Sequence, residues 1–221
     1  MTGSCCNPRG CDEFFNPRFA RRMARRYRKR GLDKPSRRMV EFLEQGGELD
    51  GATVLEIGGG VGEIQLELLK RGAARTVNLE LSNAYDAEAA ALAREAGVQD
   101  RVERRIHDIA VTPDAIEPVD IVVLHRVVCC YPDYERLLSA AGDRAKRALI
   151  FSHPPRNLFW RTFVAAQNLI FRALRREFRT FDHPPQAMLA VLREHGLEPV
   201  FAHHGFQWQI DGVGRRRSAA P

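Results

Sequence analysis

Short apolar runs alternate along this chain with segments of helical spacing. Val54-Leu55-Glu56-Ile57 is β-branched and apolar and reads as a first strand. Thr76-Val77-Asn78-Leu79-Glu80 reads as a second, and Val102-Glu103-Arg104-Arg105-Ile106 alternates as a third. Val119-Asp120-Ile121-Val122-Val123-Leu124 has no polar alternation in its core, the pattern of a strand buried on both faces of a parallel sheet. Residues 147–152, 197–202 and 206–210 supply the fifth to seventh strands. Helical patterns lie between them: Glu63 to Lys70, Ala84 to Ala96 closed by Gly97, Tyr134 to Gly142, and Gln186 to His195 behind Pro184-Pro185 and closed by Gly196.

Two further segments are apolar on one stripe and basic elsewhere. Arg18 to Arg30 carries Phe19, Met23 and Tyr27 four residues apart. Asn157 to Phe178 carries Leu158, Phe159, Phe163, Ala166, Ile170, Ala173 and Leu174 at helical spacings, with the charges Arg161, Arg172, Arg175, Arg176, Glu177 and Arg179. Three readings are open for these helices. They pack on the domain as a lid with solvated arginine faces, they make peripheral contact with an anionic membrane surface, or they bind nucleic acid through its phosphates. The first two are compatible, since a lid that opens at a bilayer admits an apolar substrate. No RNA-binding module and no aromatic-studded basic strand supports the third.

Charge is distributed unevenly. Residues 1–38 carry twelve Lys or Arg against Asp12, Glu13 and Asp33, a net of +9 in a chain of net +6, so the remainder is mildly acidic. No run of apolar residues is long enough to span a bilayer, and the N-terminus has no apolar secretory core, so a cytoplasmic location is expected. With 221 residues the chain can bury one good core. The expected layout is a basic, cysteine-containing arm over 1–38, a catalytic domain over 39–213 with a helical insert over 157–179, and a disordered tail over 214–221.

Candidate chemistry centres on Glu56-Ile57-Gly58-Gly59-Gly60-Val61-Gly62, where a strand ends in an acid and glycines follow before a helix. Such a turn lets a ligand approach the main chain closely. The dinucleotide fingerprint G-x-G-x-x-G has a different spacing, and an acid ahead of the glycines suits a cationic ligand. This stretch resembles the first motif of the class I S-adenosylmethionine-dependent methyltransferases. Glu80 at the end of the second strand and His107-Asp108-Ile109 after the third extend the resemblance. It implies S-adenosylmethionine as cofactor and a Rossmann-like α/β fold: a seven-stranded, mostly parallel sheet with helices on both faces, an N-terminal helical arm and a helical insert after strand 5. It also implies cofactor contacts from Glu56, Gly58, Gly60 and Gly62, ribose binding by Glu80, and adenine contacts from Asp108 and Ile109. The order of parts is similar to that of the magnesium-protoporphyrin and ubiquinone-pathway O-methyltransferases. The shared parts are the basic helical arm, Lys34-Pro35-Ser36-Arg37-Arg38-Met39-Val40, the basic insert, and the His-Pro-Pro segment at 153–155.

Leu124-His125-Arg126-Val127-Val128-Cys129-Cys130-Tyr131-Pro132-Asp133 follows the fourth strand, where the family holds the methionine end of the cofactor and meets the acceptor. It is not of the Asn-Pro-Pro-Tyr type found in enzymes that methylate nucleic-acid amines. His125 and His153 are the candidate catalytic bases, since a neutral imidazole suits proton removal from a hydroxyl. The alternative for each is a hydrogen bond to a loop. Cys5, Cys6 and Cys11 in the arm, with Cys129 and Cys130, have no C-x-x-C spacing, so no metal ligand is assigned. A soft-metal or metalloid site joining them is the sharper alternative to spare and core cysteines. The function expected is methyl transfer to a small or amphipathic metabolite, on oxygen. An RNA or protein methyltransferase using the basic arm is the alternative.

Overall fold

The computed structural model describes residues 14–215. The elements, in chain order, are α1 (Pro17–Arg30), α2 (Lys34–Gln45), β1 (Thr53–Ile57), α3 (Glu63–Lys70), β2 (Arg75–Glu80), α4 (Asp86–Glu95), β3 (Val102–Ile106), β4 (Val119–Leu124), α5 (Tyr134–Arg144), β5 (Ala145–His153), α6 (Leu158–Ala173), α7 (Pro185–Glu194), β6 (Leu197–His204) and β7 (Gln209–Arg215). They build one seven-stranded sheet of order β3-β2-β1-β4-β5-β7-β6. β1 to β5 run parallel, and β7 is antiparallel to both of its neighbours.

The apolar strands decide where the core sits. Alternate residues of β1 and β4 feed two cores, one on each sheet face. Val54, Ile121 and Val123 pack with α1 to α4. Leu55, Ile57, Val122 and Leu124 pack with α5 and α7. Each such side chain contributes roughly 1.5–3 kcal/mol on burial. The strand order reverses between β1 and β4, so the crevice beyond their carboxyl ends is where a ligand is expected to bind.

The basic N-terminal helix is part of this core. Asn16 caps α1 by accepting from the amides of Arg18 and Phe19 at 3.0 and 3.2 Å, and Gly31 ends it with φ of 64°. Ala20 and Ala24 are fully buried, with Phe19, Met23 and Tyr27 packed beside them. α2 runs unbroken through residue 38, capped by Asp33, whose side chain accepts from the Ser36 amide.

Three boundaries differ from expectation. The helix expected from Ala84 begins as a tight turn over Asn83–Tyr85 before α4. α6 stops at Ala173, and Phe178 folds back to stack on Phe14 at 4.6 Å. The last strand covers Gln209–Arg215 rather than 206–210, so Gly214 and Arg215, assigned to a disordered tail, are paired with β5 and β6. Glycines suggest a strand's end, but here Gly212 is needed inside one. A Cβ on it would lie 2.9 Å from the Phe42 ring, which stacks on Phe201 at 4.3 Å. Residues 216–221 lie outside the described residues, as do Cys5, Cys6 and Cys11.

The two basic amphipathic segments fold in opposite senses. The stripe of α1 faces inward. That of α6 faces solvent, with only Val164 and Phe171 of that helix buried.

Candidate functional site

A cavity of about 390 Å³ opens at the carboxyl ends of β1, β2 and β4, with α1 along one side. Its floor is the turn Gly58-Gly59-Gly60. Gly58 has φ of 66°, and a Cβ there would sit 2.5 Å from Val127 Cγ2. A Cβ on Gly59 would sit 2.2 Å from Asn78 Nδ2 and 2.5 Å from Glu56 Cδ. The sequence motif treats Gly59 as a variable position, yet it is among the most confined. Gly62, expected to contact ligand, is off the cavity and in the left-handed conformation that starts α3.

Three carboxyls converge on this floor. Glu56 is buried, and its carboxyl is pushed well above the ordinary carboxylate range by that burial and by the nearby Glu63 and Glu80. Glu80 is raised to about 7, chiefly by burial, against the pull of the Gly60 amide and Arg104. Gly60 N donates to Glu80 Oε1, so the second-strand acid also clamps the glycine turn. Glu63, at the first turn of α3, is raised by burial too. Glu56 Oε2, Glu63 Oε2 and both amide atoms of Asn78 are buried without a hydrogen-bond partner. Unpartnered buried acids are costly, and a cationic ligand would relieve that cost at this cluster. Glu63 escaped sequence reasoning because it lies beyond the motif.

Asp108 and Ile109 line the same cavity beyond β3. Asp108 accepts from the Ala110 amide, and Tyr131 Oη lies 3.2 and 3.1 Å from its two oxygens. Tyr131, unassigned from sequence, thus ties the segment after β4 to the one after β3. The N-terminal segment lines the same cavity with Phe15, Phe19 and Met23 and also with Arg22 and Arg26.

His125 lines the cavity but is not free to act as a base. Burial and the neighbouring Arg126 push its imidazole down to about 3, leaving it neutral. Ser36 Oγ gives its single proton to Asp33 Oδ1 at 2.7 Å, so it accepts from His125 Nε2–H at 3.2 Å. The remaining lone pair, on Nδ1, takes the Ser152 hydroxyl at 2.9 Å, while Ser152 Oγ accepts from the Arg126 amide. The network assigns the tautomer and uses both nitrogens. Burial alone would raise the Asp33 carboxyl, but Arg126 and the Ser36 amide and hydroxyl outweigh it and hold it at about 2. Arg126 adopts a left-handed φ of 61°, a strained conformation of the kind found at functional sites, and lays its guanidinium 5.1 Å from the Trp208 ring.

His153 is elsewhere. It is buried, with Nε2 2.8 Å from Asp211 Oδ2 and Nδ1 2.9 Å from the Pro154 carbonyl. Both nitrogens face acceptors, and the residue does not line the cavity. The expectation that both histidines meet at one crevice is therefore corrected: His125 lines the cavity and His153 does not, and the ring nitrogens of both have partners within the fold. Cys130 lines the cavity and Cys129 lies behind it, with their sulfurs 3.7 Å apart. Among the described residues no group of three His, Cys, Asp or Glu side chains is arranged to hold a metal ion.

Residues 54–148 match the family model of the methyltransferase domain. No curated protein matches the chain. Among solved structures, magnesium protoporphyrin IX methyltransferase from Synechocystis, with bound SAH, is 20% identical with a TM-score of 0.73, covering 92% of this chain and 97% of that one. An O-methyltransferase family 2 protein from Planctomyces limnophilus, in complex with apigenin, is 20% identical with a TM-score of 0.66, covering 90% and 61%. Geranyl diphosphate methyltransferase, in complex with SAM, is 17% identical with a TM-score of 0.61, covering 80% and 84%. At these identities the likeness to solved structures is one of fold. S-adenosylmethionine carries an ammonium and a sulfonium, which are the charges that the acidic cluster on the glycine turn fits. Residues 54–148 thus carry a methyltransferase domain, on a fold shared with structures that hold SAM or SAH, and S-adenosylmethionine is the methyl donor these findings support.

Proposed function

We propose that the chain methylates an oxygen of a small or amphipathic metabolite. The observation that carries this reading is the mixed lining of the cavity, with carboxyls and glycine backbone on its floor and Phe15, Phe19 and Met23, beside Arg22 and Arg26, from the N-terminal segment. Apolar side chains on a packed helix suit a compact apolar acceptor better than a polymer. Magnesium protoporphyrin IX, in the name of one neighbouring enzyme, and apigenin, held in complex by another, are consistent with it. The segment after β4 lacks the amide that an amine-methylating site would use, which favours oxygen.

S-adenosylmethionine supplies a methyl group on an electrophilic sulfonium. Glu56, Glu63, Gly58 and Gly60 would hold its charged methionine end, Glu80 its ribose, and Asp108 and Ile109 its adenine. Gly62 serves by shaping the turn. The chain's contribution to the displacement is placement of the acceptor in line, on a rigid wall, as the O–C bond forms and the S–C bond breaks; an acceptor carboxylate has no proton to lose, and a hydroxyl would release its proton to solvent. His125 acts in this reading as a positioning residue that fixes the wall between α2 and β5. Peripheral membrane contact belongs with an amphipathic acceptor and is taken up below.

Methyl-labelled S-adenosylmethionine, incubated with the pure protein and a fractionated cell extract, tests the acceptor class. Label in the organic-soluble pool is expected. Label in RNA or protein would overturn the proposal and make the exposed Arg18, Arg21 and Arg25 face of α1 a macromolecular contact.

A further inference from the structure

Helix α6 turns its apolar stripe away from the protein. Leu158 is 77% exposed, Leu169 65%, and Phe159, Phe163, Ile170 and Leu174 are exposed with them. At 3.6 residues per turn these positions share roughly half of the helix circumference. Phe206, 86% exposed between β6 and β7, extends the patch, because Trp160 Nε1 donates to its carbonyl at 3.2 Å. Isolated exposed apolar residues are ordinary, whereas a contiguous set on one helix marks an interaction surface.

The surrounding charge indicates what covers it. Arg161, Arg172, Arg175 and Arg176 are all exposed, against one exposed acid, Glu177, at the end of the segment and Asp182, 3.5 Å from Arg161, so the face keeps a net positive charge. Two copies of this face brought together would oppose arginine to arginine. An anionic lipid surface accepts both the apolar stripe and the arginines. The inner side of α6 leads toward the cavity. Phe171 and Phe178 pack on Phe14 at 6.0 and 4.6 Å, Phe178 also packs on Phe15 at 5.4 Å, and Phe15 lines the cavity.

The geometry points to α6 and Phe206 as a docking surface for an anionic bilayer. The helix lies in the headgroup plane, and the phenylalanine cluster behind it connects the membrane to the acceptor side of the cavity. The use made of this surface rests on the proposed amphipathic acceptor, but the docking itself is separately measurable.

The test is co-sedimentation of the full chain with vesicles of phosphatidylcholine alone and of phosphatidylcholine mixed with phosphatidylglycerol. Binding to the mixed vesicles, weakened by salt, is expected. Phe159→Asp with Phe163→Asp, and separately Arg172→Glu with Arg175→Glu, should each cut that binding roughly tenfold or more. S-adenosylmethionine binding, read by calorimetry, should be unchanged in both variants, which separates a lost surface from a lost fold. Equal vesicle binding by variants and wild type, or none by the wild type, would overturn the proposal. So would a concentration-dependent dimer that Phe163→Asp dissociates, since a second copy would then cover the face. A wild-type protein that binds vesicles but methylates only RNA or protein would remove the proposed acceptor and leave the docking surface intact.

Discussion

His125 Nε2 and Ser36 Oγ meet at 3.2 Å, and through that contact the end of β4 is tied to α2. The proton of Ser36 is committed to Asp33, so the imidazole must donate here, and its other nitrogen is taken by Ser152. A residue chosen from sequence as a base is held as a strut.

His125→Gln is therefore expected to preserve the pH–rate profile and lower turnover only modestly, while His125→Ala leaves two buried hydroxyls short of a partner. The second variant should be destabilised by about 1–3 kcal/mol in denaturant unfolding. A rate profile that loses its ascending limb in His125→Gln would return the residue to the role of base.

Glu80 makes cofactor affinity pH-dependent. Its carboxyl is raised from 4.5 to about 7 in the fold, so the ligand-free protein keeps a proton there that the unfolded chain releases. The contribution of Glu80 to stability falls as pH rises from about 4.5 to 7, by on the order of 3 kcal/mol in all. The ribose hydroxyls assigned to Glu80 donate to its carboxylate form, so affinity for S-adenosylmethionine should climb across the same upper range. Glu80→Gln should be the more stable protein at pH 8 and the weaker binder. Calorimetry at pH 6 and pH 8 reads both affinities, and a wild-type affinity independent of pH would refute the assignment.

Gly59→Ala should weaken cofactor binding roughly tenfold or more, since its Cβ must displace Asn78 or Glu56 from the cavity floor. Gly59 does not have a positive φ, so its variant reports collision alone, whereas Gly51→Ala strains a left-handed loop position with nothing within 4 Å of the added carbon and should leave affinity unchanged. Wild-type affinity in Gly59→Ala would show that the floor gives way without cost to the ligand.

Ala24→Leu tests whether the N-terminal helix is integral to the fold. Ala24 is fully buried, and overpacking costs about 1–3 kcal/mol, whereas Arg25→Ala on the exposed side should be near neutral. Equal melting temperatures for Ala24→Leu and wild type would mean that α1 is detachable.

Much of the scaffold was legible from local pattern. β1, β2 and β4 are marked by apolar runs that end at Glu56, Glu80 and Leu124, because a strand buried on both faces leaves few positions for polar residues. The glycine turn was legible because a strand that must reverse into a helix next to a ligand has little room for side chains. The acids at strand ends were legible for the same topological reason: carboxyl ends of parallel strands meet at one edge.

What the sequence determined alone was thus the class of fold and the donor. Tertiary structure decided the rest, wherever two distant segments compete for one atom or one face. The two ring nitrogens of His125 are taken by Ser36, which accepts from Nε2–H, and Ser152, which donates to Nδ1, 89 and 27 residues away, which no local pattern records. Gly212 looks like the end of a strand until Phe42 stacks over it. The stripes of α1 and α6 are alike in period, yet one packs inward and the other faces out. Periodicity defines that a helix has an apolar side, but only the neighbours available in three dimensions determine whether that side is buried.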